Sequence, residues 1–239
     1  CRLGKAHLCK KTIYPGVSFD GGFAEYVTVP SQIAWKNPPE LPIEVAAMME
    51  PFGIAVHSSL AGSGVSGKTV LVNGCGPIGL MNVATSRALG ATRIIACDIN
   101  PLRLSTAEKM GADRSVNASE ENLQAIIRDM TGGDGVDVAI EYSGTEVGFN
   151  ACFEALAKGG DFRLVGPPPK AIPVDFTHWV VKCPEMQNIH GRRIWDTWQV
   201  ASELVSTGSV DLGPIHSHSL SIEEGPLGFE LIREGKALK

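Results

Sequence analysis

No stretch of this 239-residue chain approaches the roughly 20 consecutive apolar residues that a membrane-crossing helix needs. Its nearest candidate, Ile54 to Leu60, is interrupted by His57 and two serines. A polybasic run is missing too: 21 Lys and Arg face 26 Asp and Glu, for a net charge of -5, which argues against a nucleic-acid or anionic-membrane partner. Cysteine pairs of the CxxC kind are absent; Cys1, Cys9, Cys75, Cys97, Cys152 and Cys183 are scattered. A chain this long needs no disulfides for stability, and no leader-like segment precedes Cys1, so reduced thiols and a cytoplasmic location are expected. The remaining composition, 44% hydrophobic and 20% charged, is that of one large globular domain or of one domain plus part of another.

Residues 1 to 50 read as irregular and β-leaning. Asp20-Gly21-Gly22 signals a turn, and Phe23 to Val29 then predicts a short strand stopped by Pro30. A helical stretch starts at Glu44 and is expected to break at Pro51 and Gly53. After Gly67 the pattern changes. Thr69–Asn73, Arg93–Asp98, Val136–Glu141 and Phe162–Gly166 are short apolar runs of the sort buried on both faces of a parallel sheet. Between them, Leu80–Leu89, Pro101–Met110 and Glu146–Leu156 predict helices, the first two ended by Gly90 and Gly111 and the third near Gly159-Gly160. This alternation predicts an α/β fold, a doubly wound parallel sheet of Rossmann type.

The first of these strands runs into Gly74-Cys75-Gly76-Pro77-Ile78-Gly79. Gly74 suits the tight turn off the strand, Gly76 a close backbone approach to a pyrophosphate, and Gly79 close packing of the next helix. A pyrophosphate then sits at a helix N-terminus, where free N–H groups and the helix dipole favour negative charge. Pro77 fits that first turn because its missing N–H costs nothing there. Asp98, at the end of the next strand, stands where a carboxylate would accept from adenosine ribose hydroxyls and would repel a 2′-phosphate, favouring NAD. Arg103 either softens that preference or lies on a solvated helix face. Cys75 and Cys97 read as small buried thiols.

Other residues leave their roles open. Cys1 and Cys9, with His7 between them, are two unrelated thiols or part of a metal site. Glu50 is a helix-end carboxylate at the surface or a functional one turned into a cleft. Trp195 and Trp198 form an i,i+3 packing stripe.

Together these residues resemble the medium-chain, zinc-dependent alcohol dehydrogenases over essentially the whole chain. Cys1 to Cys9 is similar to the second half of that family's structural zinc lobe, which makes Cys1 and Cys9 structural zinc ligands by resemblance. Gly22 to Tyr26 resembles the strand after the lobe. Glu50 to His57 resembles the segment with a catalytic zinc ligand, with Glu50 at the ligand position. Gly74 to Gly79 and Asp98 match the NAD site. His190 to Trp198 and Pro214 to His218 look like stretches of the branch that oxidises an amino acid, where the polyol-oxidising branch diverges.

The resemblance implies zinc-assisted hydride transfer from a secondary alcohol to NAD, with a small-molecule alcohol or amino acid as substrate and a homotetrameric assembly. It implies an incomplete, β-rich GroES-like catalytic domain beside the Rossmann domain: residues 1–52 a remnant carrying half the zinc lobe, 53–194 the NAD-binding domain, and 195–239 a segment returning to the catalytic domain. It also implies roughly one hundred further residues before Cys1, about a small domain, with a Cys and a His-Glu pair as the other zinc ligands. On that ground the chain is expected to be a fragment that neither holds catalytic zinc nor turns over. Arg192 is a candidate for binding a substrate carboxylate or a cofactor phosphate, or for an ion pair near the domain hinge. Ser143, Val165 and Gly166, at strand ends, are expected beside the nicotinamide half. His57 faces the cleft or is a satisfied core histidine. A non-catalytic dinucleotide-binding module is the alternative outside enzymology.

Overall fold

The computed structural model describes residues 4–239. Six strands, β1 Thr69–Asn73, β2 Arg93–Asp98, β3 Arg114–Asn117, β4 Val136–Glu141, β5 Leu156–Leu164 and β6 Glu185–Asn188, form one parallel sheet in the order β3-β2-β1-β4-β5-β6. Alternate residues feed two cores. Val70, Val72, Ile94, Ala96, Val138 and Ile140 point to one face, and Leu71, Ile95, Cys97, Ala139 and Phe162 to the other. The first face is covered by α1 Ile43–Leu60, α2 Pro77–Ala88, α3 Pro101–Lys109 and α7 Asp196–Ser206. The second is covered by α4 Leu123–Thr131, α5 Glu146–Ala155 and α6 Phe176–Lys182. Burial on both sides is why these strands read as apolar runs rather than as alternating ones. Strand order reverses between β1 and β4, so the crevice at their carboxyl ends is the place where such a sheet binds its ligand.

Three expectations fail locally. The Phe23–Val29 strand does not form: among residues 4–42 the only β pairing is an isolated Pro15–Phe19 bridge, and Phe23 and Tyr26 are 84% and 91% exposed. A lone strand has no ladder without a neighbour, and no described strand lies beside this segment. Nor does the helix break at Pro51, since α1 runs unbroken from Ile43 to Leu60. An internal proline costs about 3 kcal/mol, but Met48, Met49, Phe52, Ala55 and Val56 are all buried on this helix. The larger of these stabilise by about 1.5–3 kcal/mol each, which outweighs the loss. Finally, α5 passes directly into β5 at Leu156, which leaves the sheet after Leu164 rather than after Gly166.

The expected boundary between residues 52 and 53 falls inside α1, which is tied to the sheet by buried polar contacts. Arg163, fully buried on β5, donates to the carbonyls of Ser58 at 2.7 Å and Gly64 at 2.8 Å and to Asp161 Oδ2 at 2.7 Å. Asn82 of α2 donates to the Ala55 carbonyl and to the Ser59 hydroxyl. Glu50 and His57 therefore ride on a helix fixed to the sheet. From the C-terminal segment, Ala201, Val210, Leu212, Ile215 and Leu238 enter the same core.

Candidate functional site

The carboxyl ends of β1, β2, β4 and β5 border a cleft of ≈ 780 Å³. Gly74, Gly76, Pro77, Ile78 and Gly79 line it, as do Asp98, Arg103, Ser143, Val165 and Gly166. Two of the glycines are required by contact. Gly74 has φ +95°, and a Cβ there would lie 2.7 Å from the Ser143 nitrogen; a Cβ on Gly79 would lie 2.0 Å from the Gly74 carbonyl oxygen. Nothing lies within 4 Å of where a Cβ on Gly76 would be, so the loop's middle faces open space. With Gly76 as N-cap and Pro77 in the first turn, α2 makes its first hydrogen bond from Leu80 N to Gly76 O. The amides of Ile78 and Gly79 therefore stand at the helix start without intrahelical acceptors, the arrangement that binds an anion.

Cys75 differs from its neighbours. Its side chain is fully buried away from the cleft and its amide is taken by Asp98, so it shapes the loop rather than lining it. Burial, reinforced by Asp98, pushes its thiol well above the usual range, and burial lifts Cys97 to about 12. Both thiols stay protonated.

Asp98 points at the glycine loop. Oδ2 accepts from the Cys75 amide at 2.7 Å, and Oδ1 accepts from the amides of Ile99 at 2.8 Å and Asn100 at 2.9 Å. An ionised carboxylate offers about four acceptor positions, so roughly one stays open toward the cleft. Arg103 Nη1 lies 3.7 Å from Oδ2, and Arg103 Nε is buried without a partner. At this end the cleft thus presents one acceptor and one under-used cation.

Glu50 and Arg192 do not line this cleft; they meet each other, Arg192 Nη1 to Glu50 Oε1 at 2.5 Å. Gly53 makes room for the arginine, since a Cβ there would lie 2.9 Å from Arg192 Cδ. The guanidinium sits 4.6 Å over the Trp198 ring, and its buried Nε has no acceptor. Trp195 stacks on Trp35 and Trp198 packs against it at a tilt, with ring centroids 5.8 and 6.1 Å away. His57 is buried and its Nδ1–H donates to the Gly191 carbonyl at 2.7 Å; burial lowers its pKa.

Zinc has a poorer fit than a dinucleotide. Among the described residues no three His, Cys, Asp or Glu side chains converge closely enough to hold a metal ion. Glu50 is engaged by Arg192, Cys9 stands as a free thiol, and Cys1 lies outside the described residues. Neither zinc site is assembled from these groups.

Several cleft residues had no role in the sequence reading. Ile99, Ala118, Leu123, Val147 and Ala151 give the cleft apolar lining. A signal for α4 existed in Asn122, whose side chain caps the helix by accepting from the Ala125 amide. Glu141, buried at the end of β4, also went unassigned.

Residues 77–207 match the zinc-binding dehydrogenase family model. The chain is 41% identical to an L-threonine 3-dehydrogenase of Bacillus velezensis, covering all of this chain and 69% of that protein. It superposes on the alcohol dehydrogenase TADH from Thermus sp. ATN1 with a TM-score of 0.92 at 30% identity, covering 100% of this chain and 71% of the other. On the 2R,3R-butanediol dehydrogenase from Bacillus subtilis the TM-score is 0.88 at 29% identity, covering 97% and 67%.

Proposed function

The chain belongs to the zinc-binding dehydrogenase family, and we propose that its cleft binds NAD for oxidation of a secondary alcohol, L-threonine to 2-amino-3-oxobutanoate. The observation that carries this reading is the glycine loop opening onto the cleft with Asp98 fixed at its side. The amides of Ile78 and Gly79 take the pyrophosphate, and the remaining acceptor position of Asp98 takes an adenosine ribose hydroxyl. Val165 and Gly166, at the end of β5, border the nicotinamide half. With NAD bound, nicotinamide C4 would accept hydride from the threonine carbinol carbon as the hydroxyl proton passes to solvent, giving NADH and the ketone. The chain's own contribution is to hold donor and acceptor carbons near contact distance and to exclude water. Glu50 would be this chain's ligand to a catalytic zinc once further ligands completed the site, and that zinc would supply Lewis acidity at the substrate oxygen.

Threonine is favoured because the curated relative at 41% identity carries that activity in its name. Arg192 suits the substrate carboxylate, because its buried Nε lacks an acceptor while Nη1 holds Glu50. A polyol or vicinal-diol dehydrogenase is the second reading, supported by the likeness to a butanediol dehydrogenase. Rates of NAD reduction by the protein carrying this sequence separate the two; a rate on sorbitol or butanediol far above that on L-threonine reverses the order. NADH binding with no turnover on any alcohol would point to the non-catalytic module.

The division at residues 52/53 and 194/195, the homotetramer and the cytoplasmic location belong to the same proposal. Light scattering checks the assembly. No helix among the described residues is long and apolar enough to cross a membrane.

A further inference from the structure

Glu141 ends β4 and is 1% exposed, yet among the described residues no basic side chain pairs with it. Neutral donors meet its charge instead. Oε1 accepts from the Ser143 amide at 2.7 Å, from the Ser143 hydroxyl, and from the Asn73 side-chain amide at 3.5 Å; Oε2 accepts from the Gly144 amide at 3.1 Å. Burial pushes this carboxyl above the usual range while those donors pull it back.

The contacts continue outward. With its O–H directed at Glu141, the Ser143 hydroxyl accepts from the Thr145 amide at 3.3 Å and lies 2.9 Å from the Thr145 hydroxyl. Thr145 in turn caps α5 by accepting from the Gly148 amide at 3.0 Å. Ser143, Thr145 and Gly148 line the cleft, and the Ser143 backbone abuts Gly74. A Cβ on Gly148 would come 2.9 Å from Glu141 Oε1. The carboxylate thus lies beneath the floor where the β4–α5 loop meets the glycine loop. Three of the four groups facing it are N–H donors, so a protonated carboxyl would either set its O–H against an N–H or turn it onto the Ser143 hydroxyl, and in either case a donor loses its acceptor.

We infer that Glu141 is a positioning residue for the dinucleotide: its carboxylate holds the Ser143–Thr145 loop in the shape that completes the cleft, and coenzyme affinity falls when it is protonated or replaced. This rests on the reading of the cleft as an NAD site. The ionisable group facing Glu141 from α5 is Cys152, whose thiol is kept protonated by burial; β1 contributes Asn73, and alongside its backbone lie Leu164 of β5 and Val165 just after it. Neither strand brings an ionisable side chain to it.

NADH titration of the whole chain by fluorescence, from about pH 5 to about pH 8, with thermal melts alongside, tests this on wild type, Glu141→Gln and Ser143→Ala. Wild-type affinity should fall toward acid pH. Glu141→Gln places an NH₂ where an acceptor is needed, and should weaken NADH about ten-fold at neutral pH and remove this group's share of the pH dependence. Ser143→Ala keeps the carboxylate but withdraws one of the donors that favour its charge. The acid limb should therefore move to higher pH. A Gln variant with wild-type affinity and pH profile overturns the inference. Should that variant fail to fold, an unshifted profile in Ser143→Ala does so. A wild-type chain that binds no NADH overturns instead the coenzyme reading beneath it.

Discussion

Replacing Asp98 by alanine removes the acceptor for three backbone amides at once, and the structure says which loss matters. The amides of Ile99 and Asn100 lie at a partly exposed turn, where water can replace the carboxylate. The Cys75 amide belongs to a fully buried residue and loses its only acceptor. Leaving that donor unsatisfied costs about 1–3 kcal/mol of stability. Separately, the ribose loses a charged hydrogen bond of about 1.5–3 kcal/mol, roughly a 10- to 150-fold rise in the NADH dissociation constant. Urea unfolding measures the first quantity and fluorescence titration of NADH the second. NADPH provides an internal comparison: its 2′-phosphate is no longer repelled and Arg103 is close by, so NADPH binding should weaken less than NADH binding. Unchanged NADH affinity in a folded Asp98→Ala chain, or equal losses for both coenzymes, would refute the reasoning.

Arg163→Met leaves the buried Asp161 carboxylate without its cation and should cost about 3–5 kcal/mol in urea unfolding, with part recovered in the double variant that adds Asp161→Asn. Glu50→Gln breaks a pair whose carboxylate side is 56% exposed, so stability should change by less than about 1 kcal/mol. NADH affinity should stay at the wild-type value while threonine oxidation by the protein carrying this sequence collapses; retained oxidation would remove Glu50 from the chemistry. His57 has its pKa lowered by burial, so the folded chain resists its protonation. Its contribution to stability is present above about pH 6.5 and drains away below it. Melting temperature measured from about pH 7.5 down to about 5 should fall with a steeper slope in wild type than in His57→Gln.

The sheet was legible because its strands are buried on both faces and punctuated by glycine. Thr69–Asn73, Arg93–Asp98 and Val136–Glu141 form with the bounds their composition predicts. The edge strands were not. β3, Arg-Ser-Val-Asn, and β6, Glu-Met-Gln-Asn, are short and polar, and they are strands because a neighbour offers them a ladder. Where no neighbour exists, at Phe23–Val29, β propensity alone gives no strand. Pro51 misled for the opposite reason, because tertiary burial of α1 outweighs a local breaker.

For the candidate site, the glycine spacing led to a loop that borders the cleft, but spacing does not tell side chain from backbone. It could not show that the Cys75 amide is spent on Asp98, or that Arg192, 142 positions away in sequence, reaches Glu50. Glu141 carried a faint signal, a carboxylate closing an apolar strand just before Ser143-Gly144. Its importance becomes visible only when four donors are seen to converge on it.

A crystal structure of this chain soaked with NAD tests the central claim most directly. Pyrophosphate density is expected against the Ile78 and Gly79 amides, with the adenosine ribose beside Asp98 and the nicotinamide near Val165 and Gly166. Dinucleotide density elsewhere on the molecule, with the glycine loop unliganded, would contradict it.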